Sequence, residues 1–153
     1  MRMSLIREQD RHRRLGLFDL RPDLDPARAA LVDGDVGPLW VPTDGTVLPH
    51  WLRCFGTWEP AKGALLRALL GPGMTAVDVG AKVGYFSLLC AQAVGPTGRV
   101  LAVEPDPRNY ALLCANLWRA GALNVAPIRA AADRGRPASA WTTCSAPTPP
   151  STW

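Results

Sequence analysis

AVDVGAKVGYFSLLCAQAVGPTGRVLAVEPDP, residues 76–107, decides the fold. The run that leads into it, Met74–Gly80 (MTAVDVG), is short, apolar and ends in Asp78 and Gly80, which suits a buried parallel strand rather than an alternating surface one. YFSLLCAQAV then puts Phe86, Leu89, Cys90 and Ala93 on one helical face, and Gly95-Pro96-Thr97-Gly98 stops that helix. RVLAVE, residues 99–104, is a second buried strand. Asp106-Pro107 starts the next helix, with Asp capping and Pro in the first position, and the stripe Tyr110, Leu113, Cys114, Leu117 runs to Gly121 as its stop. A third apolar run, NVAPIRAAA from Asn124, carries Pro127, which confines it to a sheet edge. Strands alternating with single helices predict βαβαβ units and a parallel α/β sheet with right-handed crossovers.

Upstream, Glu59-Pro60 opens a helix whose stripe is Leu65, Leu66, Leu69 and Leu70, ended by Gly71-Pro72. Before that, GPLWVPTDGTVLPHWL has two apolar runs around Thr43-Asp44-Gly45, which predicts a hairpin with Gly45 at positive φ. Residues 1–30, with Pro22 and Pro26, read as an irregular or partly helical lead-in. Beyond Asp133, RGRPASAWTTCSAPTPPSTW holds four Pro and no Leu, Ile, Val, Met or Phe, the composition of a disordered tail. The expected organisation is an N-terminal extension with a hairpin over 1–54, a nucleoside-binding core over 55–133 and a disordered Pro/Ser/Thr-rich tail over 134–153. In an Arg-, Ala-, Gly- and Pro-rich chain, such a tail also fits a shifted reading frame or an incomplete gene.

Composition bounds the function. The chain has 153 residues, 48% hydrophobic and 20% charged, and its apolar runs fall short of the ~20 residues that span a bilayer. The N-terminus has no apolar core of a secretory signal, which points to the cytoplasm. The net charge of +4 rests on 15 Arg and 2 Lys, with five Arg in the first 14 residues. That arm lacks interleaved aromatics and is followed by Asp19, Asp23, Asp25, Asp33 and Asp35, so a solvated terminus is expected rather than a nucleic-acid or membrane contact. Cys54, Cys90, Cys114 and Cys144 form no CxxC, and with only His12 and His50 in the chain no metal site is expected.

The chemistry lies at the first strand's carboxyl end. Asp78-Val79-Gly80-Ala81-Lys82-Val83-Gly84 is followed, 20 residues after Gly84, by Glu104 at the end of the second strand. In an open α/β sheet, ligands bind at the carboxyl ends of the strands, where glycines let the backbone approach and the acid on the next strand holds ribose hydroxyls. The alternative is a tight turn that needs glycine, with an acid at a strand end by chance. A dinucleotide fingerprint from Gly80 would need glycines where Lys82 and Tyr85 stand, and no GK[ST] run makes a P-loop, so NAD is disfavoured.

Residues 76–117, with Trp58-Glu59-Pro60 upstream and Ala130–Asp133 downstream, resemble the FkbM family of S-adenosylmethionine-dependent methyltransferases over roughly residues 55–133. The pattern that carries the resemblance is DVGAxxGYF…GRVxAxEPxPxNxxxLxxN. It implies a Rossmann-like class I methyltransferase fold, of which the chain would hold the N-terminal βαβαβ half, preceded by a hairpin and a helix. The family's sheet order 3-2-1-4-5-7-6 would leave the first strand's other edge bare here. By resemblance, Asp78, Gly80, Ala81 and Gly84 bind the methionine part of the cofactor, Glu104 the ribose, and Asp133 the adenine amino group. The implied reaction is O-methylation of a hydroxylated small molecule such as a sugar or natural product, without metal. Two departures stand out: Lys82 replaces the family's usual Asn, and the later strands of the fold are missing. Glu59 reads either as a cofactor-amine or substrate contact or as a first-turn acid favoured by the helix dipole. The competing readings are a non-catalytic module that binds the cofactor or self-associates through its bare edge, and a fragment of an NAD-dependent oxidoreductase.

Overall fold

The computed structural model describes residues 28–44 and 47–131. Gly45, Asp133, Cys144, the basic arm, residues 1–27 and the tail lie outside the described residues. The elements run β1 (Ala29–Val32), β2 (Leu39–Pro42), α1 (Val47–Phe55), α2 (Pro60–Leu69), β3 (Thr75–Val79), α3 (Tyr85–Val94), β4 (Arg99–Val103), α4 (Pro107–Ala120) and β5 (Val125–Ile128). From Pro60 onward this is the alternation that the sequence predicts.

The hairpin stands elsewhere than expected. β1 pairs antiparallel with β2, Ala29 opposite Pro42 and Val32 opposite Leu39, so Ala29 and Ala30 belong to a strand rather than to an irregular lead-in. The connection is Asp33–Pro38, where Gly37 takes φ 101° and its N–H donates to the Gly34 carbonyl at 2.9 Å. The second apolar run, expected as the return strand, is helix α1. Its apolar residues Val47, Leu48, Trp51, Leu52 and Phe55 recur with helical spacing, and Pro49 falls in the first turn, where a missing N–H costs nothing.

β3, β4 and β5 form a parallel sheet in that order, with Ala76, Val100 and Val125 in one register row and Asp78, Ala102 and Pro127 in another. Pro127 is thus on an edge strand among the described residues, as its missing N–H requires. The sheet has one covered face: Val100, Ala102 and Val125 are buried beneath the helices. No described element covers the opposite face, and among the described residues the expectation of strands buried on both sides fails there. Val77 and Val79 are 60% and 61% exposed, Leu101 and Ile128 are exposed too, and β4 alternates rather than lying buried on both sides.

The helices show the same asymmetry. α3 buries Tyr85, Ser87, Leu88, Leu89, Cys90, Ala91 and Val94; of its predicted stripe Leu89 and Cys90 are buried, while Phe86 and Ala93 are half-buried. α4 follows its predicted stripe at Leu113, Cys114 and Leu117; Asp106 caps it by accepting from the Arg108 and Asn109 N–H groups, and Gly121 closes it at φ 61°. α2 departs from its predicted stripe. Leu65 and Leu69 are exposed, and the buried residue is Gly63, because a Cβ there would come within 3.3 Å of the Leu89 side chain. Leu66 and Leu70 of the predicted stripe do pack against the core, and the close approach to α3 is made at Gly63. Leu39, Val41 and Leu52 from the N-terminal elements join Leu89, Val94, Val100 and Leu113 in one hydrophobic core.

Candidate functional site

The turn from β3 to α3 is built by backbone geometry. Its Gly80 and Ala81 N–H groups both donate to the Val103 carbonyl, at 2.8 and 3.0 Å, so the β3–β4 ladder continues into the turn. Three residues of the turn take positive φ: Gly80 at 80°, Lys82 at 49° and Gly84 at 91°. The two glycines have different reasons. A Cβ on Gly84 would come within 2.7 Å of Leu113 Cδ1, so the turn packs there directly against α4. A Cβ on Gly80 would meet nothing within 4 Å, so Gly80 borders open space at the carboxyl end of the sheet.

Glu104, at the end of β4, is 4% exposed. Its Oε2 accepts the Lys82 N–H at 2.7 Å and its Oε1 accepts the Asp106 N–H at 2.9 Å. The carboxylate therefore clamps the glycine turn to the start of α4. A carboxylate offers about four acceptor positions, so two backbone donors leave capacity for a pair of vicinal hydroxyls. Asp78 sits on the covered face of β3 and accepts from Ser87 Oγ at 2.7 Å, inside the first turn of α3. Ala81 is buried in the turn, and the Lys82 side chain is exposed. The structure thus brings Asp78, Gly80, Ala81, Gly84 and Glu104 to one end of the sheet; Asp133 lies outside the described residues.

Three partners of this site carried no sequence prediction. Asn116, fully buried in α4, donates Nδ2 to the Val83 carbonyl at 2.7 Å and to the Trp40 carbonyl at 2.9 Å, while Oδ1 accepts the Trp40 N–H at 2.6 Å. It stitches β2 to the glycine turn. Ser87 anchors Asp78. Tyr85, 3% exposed, donates its hydroxyl to Asp35 Oδ1 and accepts the Trp58 N–H at 3.1 Å. Burial, then the Asp35 hydrogen bond, raises the Tyr85 hydroxyl above the ordinary phenol range. The signal for all three was a polar group on an otherwise buried helical face.

Glu59 is the N-cap residue of α2, but its side chain makes no capping bond. Its backbone is left-handed, φ 46° and ψ 64°, and its carboxylate pairs with Lys62 Nζ at 3.5 Å; that ammonium lies 4.0 Å from the Phe86 ring centroid. Among the described residues no group of three or more His, Cys, Asp and Glu is placed to hold a metal. His50 and Cys54 are nevertheless neighbours, 3.7 Å apart across one turn of α1, a spacing that counting cysteine motifs overlooked. Cys90 and Cys114 are buried, and burial pushes each thiol up to about 11. No helix among the described residues is long and apolar enough to cross a membrane.

The chain is similar to the transmembrane O-methyltransferase of Pan troglodytes, 39% identical over 72 residues that make up 44% of this chain and 25% of that protein. It is 40% identical over 58 residues to the protein-L-isoaspartate O-methyltransferase of Triticum aestivum, covering 38% of this chain and 25% of the relative. Over 37 residues it is 51% identical to the ribosomal RNA large subunit methyltransferase E of Nitrosomonas eutropha, covering 24% and 18%. The chain spans about a quarter or less of the length of these curated relatives. Among solved structures, Trm5b from Pyrococcus abyssi matches with a TM-score of 0.53 at 19% identity, covering 69% of this chain and 29% of that one. A transferase structure from Pyrococcus horikoshii matches with a TM-score of 0.53 at 14% identity, covering 67% and 36%. No family model matches the chain. The fold is the Rossmann-like fold of class I S-adenosylmethionine-dependent methyltransferases, present here as a partial sheet, and the sequence relatives are methyltransferases.

Proposed function

We propose that residues 55–133 hold S-adenosylmethionine for transfer of its methyl group to a hydroxyl oxygen of a small molecule, a sugar or natural product, in the manner of the FkbM family. The observation that carries this reading is Glu104: a carboxylate 4% exposed, with one backbone donor on each oxygen and acceptor capacity left, next in sequence to Val103, whose carbonyl takes the N–H of Gly80 at the open end of the sheet. That combination suits a ribose approached by bare backbone. In this reading Glu104 takes the ribose hydroxyls, the Asp78–Gly84 turn takes the methionine part, and Asp133 takes the adenine amino group. The Lys82 ammonium, exposed on the turn, pairs with the methionine carboxylate.

When bound, S-adenosylmethionine supplies a methyl group on a sulfonium sulfur, with a neutral thioether as leaving group. The protein's share is orientation of that methyl towards the acceptor oxygen and exclusion of water, which together supply much of the rate enhancement in such displacements. A small hydroxylated acceptor is preferred over nucleic acid because three of the described cations are engaged: Lys62 with Glu59, Arg67 with Asp35 and Arg108 with Asp44. Transfer of labelled methyl to a panel of sugars, phenols and RNA tests this; label in RNA alone removes the acceptor assignment.

A second reading, a non-catalytic module that self-associates, is favoured by one observation. Among the described residues the face with Val77, Val79, Leu101 and Ile128 is uncovered and ends at β3, an edge strand without charges on that face. A folded dimer that binds the cofactor and transfers no label would favour it.

A further inference from the structure

The Tyr85 hydroxyl joins three separate segments of chain. It donates to Asp35 Oδ1 in the β1–β2 connection and accepts the Trp58 N–H at 3.1 Å from the segment ahead of α2. Thr57 Oγ1 lies 3.1 Å from the same hydroxyl and 3.4 Å from Asp35 Oδ2, which closes the cluster. Asp35 is held from its other side, since Oδ2 accepts from Arg67 Nη2 at 3.2 Å and its backbone N–H donates to the Gly56 carbonyl at 2.7 Å. A core role at position 85 needs only the ring, which packs edge-on against Phe86 with centroids 5.1 Å apart. The buried hydroxyl would cost stability without partners, and here it donates to Asp35 and accepts from Trp58.

What the hydroxyl fixes is the approach of Trp58 and Glu59 to the glycine turn. Tyr85 directly follows Gly84, and Glu59 directly follows the Trp58 N–H that Tyr85 holds. The Glu59 carboxylate and the Lys62 ammonium, 3.5 Å apart, stand beside Phe86 in the first turn of α3. The Glu59 carboxylate at that place matches the ammonium of an α-amino acid, whose carboxylate falls to Lys82. We propose that Tyr85 is a positioning residue for the methionine end of the cofactor site, acting through Trp58 and Glu59. The proposal rests on the cofactor reading given above. It makes the N-terminal hairpin part of the cofactor site through the Asp35 latch.

The test compares two ligands that share the adenosine part and differ in the amino-acid end, S-adenosylhomocysteine and methylthioadenosine, by titration calorimetry on the full chain. Tyr85→Phe is expected to weaken S-adenosylhomocysteine about tenfold, the scale of one lost hydrogen bond to a charged partner, and methylthioadenosine by less than about twofold. Asp35→Asn, which keeps the shape of the latch and removes its charge, is expected to give the same split, and it carries the comparison if Tyr85→Phe does not fold by circular dichroism. Equal weakening of both ligands assigns Tyr85 a merely structural role and overturns the proposal, as does no change in either. Failure of the unmodified chain to bind either ligand overturns the cofactor reading itself, and the proposal with it.

Discussion

The side-chain amide of Asn116 donates to the main-chain carbonyl of Val83 at 2.7 Å, so a residue in the middle of α4 holds the tip of the glycine turn. The same amide grips Trp40 in β2 on both its N–H and its carbonyl. Three backbone groups from two elements depend on one buried side chain. Asn116→Leu, close in volume, leaves all three without a partner, at a cost of about 3–5 kcal/mol, read by urea denaturation. A loss below about 1 kcal/mol would mean that water or relaxation replaces the amide.

The two glycines that flank the turn separate stability from binding. Gly84→Ala sets a Cβ at 2.7 Å from Leu113 Cδ1 as well as at φ 91°, and is expected to cost about 3 kcal/mol or more in the same denaturation experiment. Gly80→Ala meets open space and carries only the strain of φ 80°, about 1–2 kcal/mol. Its methyl projects into the open space where the ligand is proposed to lie, so the folded variant is expected to lose S-adenosylhomocysteine binding.

Lys82 has a backbone that suits Asn better. At φ 49° a side chain with a branched-off polar group close to the backbone is tolerated, whereas Lys carries the full left-handed penalty. Lys82→Asn is expected to raise stability by about 0.5–1 kcal/mol in denaturation. If the ammonium holds the methionine carboxylate, the same variant weakens S-adenosylhomocysteine while leaving methylthioadenosine unchanged.

The buried thiols predict an alkaline limit. Burial holds Cys90 and Cys114 protonated up to about 11, against an ordinary thiol value of about 9. Between those values the unfolded chain has released protons that the folded chain keeps, so stability is fully present below about 9 and falls as pH rises towards 11. Tyr85, raised by burial and by Asp35, adds to the fall in the same direction. Thermal melts at stepped pH check this. At pH 8 a thiol reagent is expected to label the exposed Cys54 quickly and Cys90 and Cys114 only on unfolding.

Much of the fold was legible because glycine, proline and aspartate mark element boundaries locally. Asp106-Pro107 and Gly121 bound α4 as read, and Pro127 placed β5 at an edge. The hairpin was misplaced because Thr43-Asp44-Gly45 reads as its turn, whereas the turn residues that serve it, Asp33-Gly34, directly follow Ala29–Val32 and lead to Leu39–Pro42. The α2 stripe was legible only in half, because Leu66 and Leu70 pack on the core while Leu65 and Leu69 are exposed, and Gly63, which meets Leu89, has no side chain to announce it. In the site, glycine spacing and Glu104 were readable since they are close along the chain. The Asn116, Ser87 and Tyr85 contacts join residues from 9 to 76 positions apart, and no local pattern encodes them.

The central claim is that this end of the sheet takes S-adenosylmethionine rather than a nicotinamide dinucleotide. Calorimetric titration of the full chain with S-adenosylhomocysteine and NAD, each repeated on Glu104→Ala, tests it most directly. The account predicts saturable binding of S-adenosylhomocysteine, none of NAD, and loss of the first by about tenfold or more in the variant, as removal of paired hydrogen bonds to a charged acceptor requires. Binding of NAD in preference to S-adenosylhomocysteine, or binding of S-adenosylhomocysteine indifferent to Glu104, would contradict it.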